Sequence, residues 1–341
     1  MAGITITEVS GLLDSIYGKF MYPIAKMIED YGASKDRDAR LKELFNFETS
    51  SHFAESINST TGFEGFKPVE ENGAYPRDQV AESFNKLFKH KQWMDSFSVS
   101  RVMADDDQIG AVKRLADRFL NGFSKTRERF GAALYGSAIS GNTDLNFAGS
   151  TFEQASASAD GRPLFDTAHP SKTDPTFTQS NCFSDAFSQS ALSRAQSTMI
   201  NFRDDNKSVL EIVPDTILIP NDAEAIQQVF GVVGAYSQPD TANNNWNYHF
   251  GAWKVVIWPA LNEFIPSGTA SADAFPWALV AGDFMRQFDG AVWYEREPLS
   301  VNAYEDHNND AAVWNGRARW SAGFFDWRAF CLGGVARGDA L

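Results

Sequence analysis

Hydrophobic spacing changes period several times along this chain, and each change predicts a different element. Leu12, Leu13, Ile16, Phe20, Ile24, Met27 and Ile28 recur at helical spacing, with Gly32 following as a C-cap. A single apolar stripe of this kind needs a partner surface. Residues 34–44 are charged and weakly periodic, the pattern of an arm or linker. From Phe45 to Ser100 short β-leaning runs alternate with Thr61-Gly62, Gly65 and Asn72-Gly73, and Asn-Gly is a strong hairpin-turn signal. Phe84, Lys86, Phe88 and His90 fall on one side of an extended strand, and after Trp93 the residues Phe97 and Val99 alternate with serines. The pattern predicts a long two-stranded excursion. A lone hairpin is marginal in water, so its aromatics are expected on some other surface, a neighbouring subunit being one candidate.

The clearest helix comes next. Asp105, Asp106 and Asp107 place negative charge where the helix dipole favours it. Ile109, Val112, Leu115, Ala116, Phe119, Leu120, Phe123, Phe130, Ala133, Leu134 and Ile139 keep the 3.6 period, and Gly141-Asn142 ends it. At 1.5 Å per residue the span is about 50 Å, with Gly122 and Gly131 as positions where it could bend. A second helix is predicted over residues 190–203 on Leu192, Ala195, Met199 and Phe202, and Asp204-Asp205-Asn206 turns the chain. Residues 213–220 read as a short buried strand bracketed by prolines, after which Asn221-Asp222 caps a helix carrying Ala225, Ile226, Val229 and Phe230. Trp253–Trp258 and Trp277–Ala281 read as strands. Val292–Glu295 and Leu299–Tyr304 pair with the alternating Trp314, Ala318, Trp320, Ala322 and Phe324 across a turn at 306–310.

Composition narrows the functional classes. The 341 residues suggest about two domains, and 43% hydrophobic against 22% charged residues is a globular balance. The 28 Phe, 9 Trp and 9 Tyr can furnish extensive cores and interfaces. A net charge of −14 disfavours tight nucleic-acid binding, which needs Lys and Arg to neutralise phosphates. The two cysteines, Cys182 and Cys331, lack zinc-site spacing and read as small buried hydrophobes. No signal peptide, membrane span, P-loop, dinucleotide fingerprint or His-based metal spacing is predicted, and no cofactor or metal is expected.

One stretch, DGRPLFDTAHPS from Asp160 to Ser171, admits two readings. Asp166, His169 and Ser171 could form a hydrolase centre, although triads are recognised by geometry rather than spacing and no G-x-S-x-G elbow accompanies them. The bland reading makes Asp, His and Ser turn formers and loop anchors, with Leu164 and Phe165 pinning the loop to the body. Glu295 and Glu297, two apart in a strand, share one face and read as exposed carboxylates. The Trp-rich C-terminal region leaves a carbohydrate-binding or other virion structural protein as a further alternative.

Four stretches carry a resemblance: FNFETSSHFAES at Phe45–Ser56, DGRPLFDTAHPS, VPDTILIPNDAEA at Val213–Ala225 and ARWSAGFFDWRAF at Ala318–Phe330. In this order they resemble the major capsid (head) proteins of tailed dsDNA phages, the Mu-like major head subunits in particular. The resemblance implies an α+β, HK97-like capsid fold and no enzymatic activity. Its implied parts are an N-terminal arm at 1–46, an extended β-hairpin loop at 47–104, and a long spine helix with peripheral domain at 105–187. An axial domain at 188–290 and a closing β region with C-terminal segment at 291–341 complete it. It further implies self-assembly into hexamers and pentamers, a portal, a scaffold or decoration protein, weakly and non-specifically held dsDNA, no membrane partner, and assembly in the host cytoplasm into the virion. Inter-subunit contacts are then expected at Phe20, Ile24, Phe84, Phe88, Trp93 and Phe97, and around residues 222–290. Asp160, Gly161, Leu164, Phe165, His169 and Pro170 serve as family-marker residues. Lys86, Lys89 and Lys91 fall in the hairpin loop, but no acceptor for a covalent cross-link is identified.

Overall fold

The computed structural model describes residues 27, 30, 38–62, 66–71, 73–75, 77, 82–105, 109–234, 246–270, 274–306, 308–309 and 311–338. The predicted N-terminal helix with Leu12, Leu13, Ile16, Phe20, Ile24, Ile28 and its Gly32 cap, and likewise Gly65, Asn72, Asp106 and Asp107, lie outside the described residues. Chain order runs through helix α1 (Ala39–Leu44), strands β1 (Asn46–Thr49), β2 (Ala54–Thr60), β3 (Glu82–Lys89) and β4 (Lys91–Ser100), then helices α2 (Arg101–Asp105) and α3 (Ile109–Ile139). Short strands β5 (Leu145–Phe147), β6 (Ser150–Phe152), β7 (His169–Pro170) and β8 (Thr178–Gln179) follow. The remainder is α4 (Gln189–Ile200), β9 (Thr216–Pro220), α5 (Ala223–Val233), β10 (Lys254–Trp258), β11 (Trp277–Val280), α6 (Gly282–Gln287), β12 (Ala291–Asp306), β13 (Ala311–Phe324) and β14 (Phe330–Gly333).

Helix α3 is one continuous spine, as its stripe predicts. Val112, Ala116, Leu120, Phe130, Ala133, Leu134 and Ile139 are buried, and Gly141 at φ +80° ends the helix in the left-handed region that glycine tolerates. Gly131 does not bend it. A Cβ there would stand 2.5 Å from Leu41 Cδ2 and 3.3 Å from the Trp258 ring, so this glycine admits α1 and β10 to the helix surface.

Two four-stranded sheets flank the spine. The first has order β1-β12-β13-β4, with β1 parallel to β12 and the other pairs antiparallel. The expected β12–β13 hairpin is present, and its ladder shifts register around Pro298, which has no N–H to give it. The second sheet has order β10-β9-β11-β14. Its strand β9 is buried throughout, following Pro214 and ending on Pro220. Ser188 caps α4 by accepting from Ala191 N–H, and Asp222 caps α5 by accepting from Glu224 and Ala225 N–H. One hydrophobic core runs through both sheets and α3.

Strand pairing redraws several expected limits. Residues 39–44 are a helix with Leu41 and Leu44 fully buried, not a linker, and β1 joins the first sheet. The two-stranded ribbon is β2 with β3, with a Gly73 N–H to Glu70 O bond at the expected Asn-Gly position, and it ends at Lys89. Strand β4 lies in the first sheet against β13, so it leaves the expected 47–104 excursion. Strand β14, expected in the closing region, pairs with β11 in the second sheet.

Candidate assembly interface

The marker segment is a buried polar knot. Leu164 and Phe165 are fully buried and anchor it in the core. His169 Nδ1 meets Asp160 Oδ2 at 2.7 Å, with both side chains almost wholly inaccessible. Its Nε2 meets Asn181 Oδ1 at 3.2 Å, and its ring stacks on Trp327 at 4.3 Å. The amide orientation of Asn181 is fixed because Nδ2 donates to the carbonyls of Leu164, Trp327 and Phe330 while Oδ1 accepts from Asp166 N–H. Both imidazole nitrogens therefore face oxygen acceptors, the Asp160 carboxylate on one side and the Asn181 amide oxygen on the other. Burial pushes the Asp160 carboxyl up, but hydrogen bonds from His169, Ser158 and Arg162 N–H and the charge of His169 outweigh it and hold it below the ordinary value.

The candidate triad does not assemble. Ser171 Oγ donates to Asp205 Oδ1 at 3.1 Å, not to His169, and the Asp166 carboxylate lies 3.7 Å from Arg162. His169 takes Asp160, nine residues earlier, in place of Asp166. Glu295 pairs with Arg127 and Glu297 with Arg317, so neither is a poised acid. Trp293, Trp314, Trp320 and Trp327 are all buried, so these C-terminal tryptophans offer no face for a sugar to stack on.

The expected contact aromatics turn inward. Phe88 is 4% exposed and packs with Val292, Tyr294 and Phe325. Trp93 stacks on Trp320 at 4.5 Å with the rings parallel within 1°, and Phe97 stacks on Trp314 at 5.1 Å. Phe84 is half-buried beneath the ammonium of Lys172. The physical reason differs by strand. Residues Trp93 and Phe97 belong to β4, which is part of the first sheet. Phe84 and Phe88 belong to the ribbon, whose apolar face lies on its own subunit. Leu87 on β3 and Met94 on β4 point to water instead, and other exposed apolar side chains include Phe66 and Tyr75 between β2 and β3, and Trp246, Tyr248 and Phe230 beside the end of α5.

Two residues organise this surface without an obvious sequence signal. Asp205 accepts from Ser83 Oγ at 2.8 Å, from Ser171 Oγ and from Lys172 N–H, tying the ribbon to the marker segment. Arg127, buried on α3, pairs with Asp38 at 3.2 Å and Glu295 at 2.9 Å, with its guanidinium over Phe47, Phe123, Trp293 and Trp320. It thereby joins α1, the spine and the first sheet. Among the described residues no His, Cys, Asp and Glu cluster is placed to hold a metal, and no helix is long and apolar enough to cross a membrane. Cys182 and Cys331 are buried and form no disulfide.

A family model described as phage capsid protein matches residues 86–332, well over half of the sequence. The chain belongs to the phage capsid protein family. No curated protein matches it. Among solved structures, the capsid protein resembles the asymmetric unit of the bacteriophage PhiM1 mature capsid at TM-score 0.52 and 11% identity, covering 86% of this chain and 85% of that one. It also resembles the capsid of a native GTA particle at TM-score 0.51 and 13% identity, covering 87% and 90%. At these identities the likeness speaks for the fold, which is the HK97-like capsid fold. The capsid protein is a structural, non-enzymatic protein.

Proposed function

We propose that this capsid protein is the major subunit of an icosahedral head, in which copies of one chain form hexamers and pentamers around packaged dsDNA. The family match over residues 86–332 is the observation that carries this reading. Phe66 and Tyr75, exposed between the two strands of the ribbon, suit a part that reaches another copy. Trp246 and Tyr248 beside α5 suit a second contact, in the region around 222–290 where the sequence leads one to expect it. With a net charge of −14 the wall holds DNA weakly and non-specifically. A portal, and a scaffold or decoration protein, complete the particle, assembly taking place in the host cytoplasm. Within the family we place the chain in the Mu-like branch, on the order of its four sequence stretches. Negative-stain imaging of the purified full-length protein tests the central claim. Closed icosahedral shells are expected, and discrete monomers or trimers overturn it.

A further inference from the structure

The β2–β3 ribbon pairs with no third strand among the described residues, and two-stranded ribbons are marginal alone. Two of the groups that hold it to the body are nitrogen bases. Lys86 Nζ donates to Ala157 O at 2.6 Å and to Phe324 O at 2.8 Å, with the ring of Phe88 5.2 Å away. Two carbonyl acceptors match the two N–H groups of a neutral amine, whereas an ammonium carries a third. The carboxylate acting on Lys86 is Asp160, which already accepts from His169, Ser158 and Arg162 N–H.

His90 is the single residue between β3 and β4, so it sits at the root of the ribbon, and it is buried. Ser50, just ahead of β2, gives its hydroxyl proton to Glu55 Oε1 at 2.6 Å. Ser50 must then accept from His90 Nε2–H at 2.9 Å, which leaves Nδ1 to accept from Ser321 Oγ–H at 3.0 Å. One ring proton satisfies this chain. A second would turn Nδ1 into a donor aimed at Ser321. The groups facing the ring are Glu55 from β2, Tyr294 and Arg296 from β12, and Arg319 from β13.

We propose that the ribbon is a proton-linked strap, docked on its own subunit with an uncharged Lys86 and a singly protonated His90, and loosened by acid. Burial pulls Lys86 down to about 7, against the upward pull of Asp160. Burial also lowers His90, opposed by Glu55 and reinforced by Arg319 and Arg296. A groove of about 530 Å³ beside β3, lined by Lys86, Phe88, Phe152, Ser158 and Ser321 among others, gives water a route to Lys86 and to Ser321, the partner of His90. On undocking, Lys86 returns toward 10.5 and His90 toward 6.5, so release takes up protons. Docking therefore strengthens as pH rises above about 7 toward 10.5, by about fivefold over the first unit, where docked Lys86 is still partly protonated, and by roughly tenfold per unit beyond it, and it weakens again as pH falls below 6.5.

This inference goes beyond the head-subunit reading and does not depend on it, because the strap acts within one chain. Hydrogen–deuterium exchange on the full-length protein between about pH 5.5 and 9, corrected for intrinsic exchange, tests it through peptides covering 54–60 and 82–89. Ribbon protection is expected to rise about fivefold from pH 7 to 8 and roughly tenfold from pH 8 to 9 while that of α3 stays flat. Lys86→Met should abolish the rise above pH 7. His90→Asn, which keeps one donor and one acceptor without titrating, should abolish the fall below 6.5. Ribbon protection that does not change with pH in the parent overturns the proposal, as does a parental slope persisting in the double variant. If a variant fails to fold, the parent titration alone decides. Shell formation is read separately by imaging, so either idea can fail without the other.

Discussion

Asn181→Ala is the most incisive test of the marker segment. It deletes donors to the carbonyls of Leu164, Trp327 and Phe330 and an acceptor for Asp166 N–H and His169 Nε2. Asp166 is half-buried, so its N–H can recover a water. His169 at 1% exposure and Leu164 at 0% have no such access. Two buried polar groups left unsatisfied cost about 1–3 kcal/mol each, and the void left by the side chain adds to that. The expected loss is about 4 kcal/mol, a large share of the roughly 5–15 kcal/mol that holds a typical domain folded. Equilibrium urea unfolding reads it as a fall in midpoint at unchanged slope. Asn181→Asp should be similarly costly, because it turns an oxygen toward three carbonyl oxygens. An alanine variant within about 0.5 kcal/mol of the parent, the range of ordinary surface changes, would refute the view that this amide holds the knot.

The remaining predictions address other parts of the fold. Gly122→Ala on the exposed side of α3 meets nothing within 4 Å and should stabilise by about 0.8–1 kcal/mol, whereas Gly131→Ala drives a methyl into Leu41 and should destabilise despite the same gain in helix propensity; paired thermal melts decide. Asp160, held below its ordinary 3.8 in the folded state, contributes stability that is present above that value and lost as pH falls through the folded one. Asp160→Asn should therefore lower the unfolding midpoint at neutral pH and flatten its acid limb below about pH 4, measured as midpoint against pH. Phe66→Ser with Tyr75→Ser should leave the melt within about 0.5 kcal/mol but reduce shell yield by sedimentation, since both side chains are almost fully exposed in the isolated subunit.

Elements whose pattern is local were readable from the sequence. The α3 stripe and Gly141, the Asp222 cap, and the alternation in β13 each declare themselves within a few residues. Elements defined by a distant partner were not. Phe97 and Val99 alternate in the same way whether β4 continues a ribbon or joins a sheet, and its partner β13 begins at Ala311. Helix α1 is six residues long, and only Leu41 and Leu44 turn inward, too short a stretch to show a period beside Arg40, Lys42 and Glu43. The marker segment announced its anchors Leu164 and Phe165, but proximity in sequence pointed to Asp166 where folding delivers Asp160, and nothing marked Asn181 as the amide that closes the site.

The sheet order has a mechanical consequence. The two legs of the ribbon are rooted on opposite edges of the first sheet, one leaving β1 and the other entering β4 through His90. Tension arriving through the ribbon divides between edges of unequal strength. The β1 edge is paired at four positions, Asn46 to Thr49, whereas the β4 edge is paired at ten, Lys91 to Ser100. The subunit thus carries a built-in order of failure. Under a pull the short edge yields first and frees α1, while the long edge keeps the spine seated on its sheet.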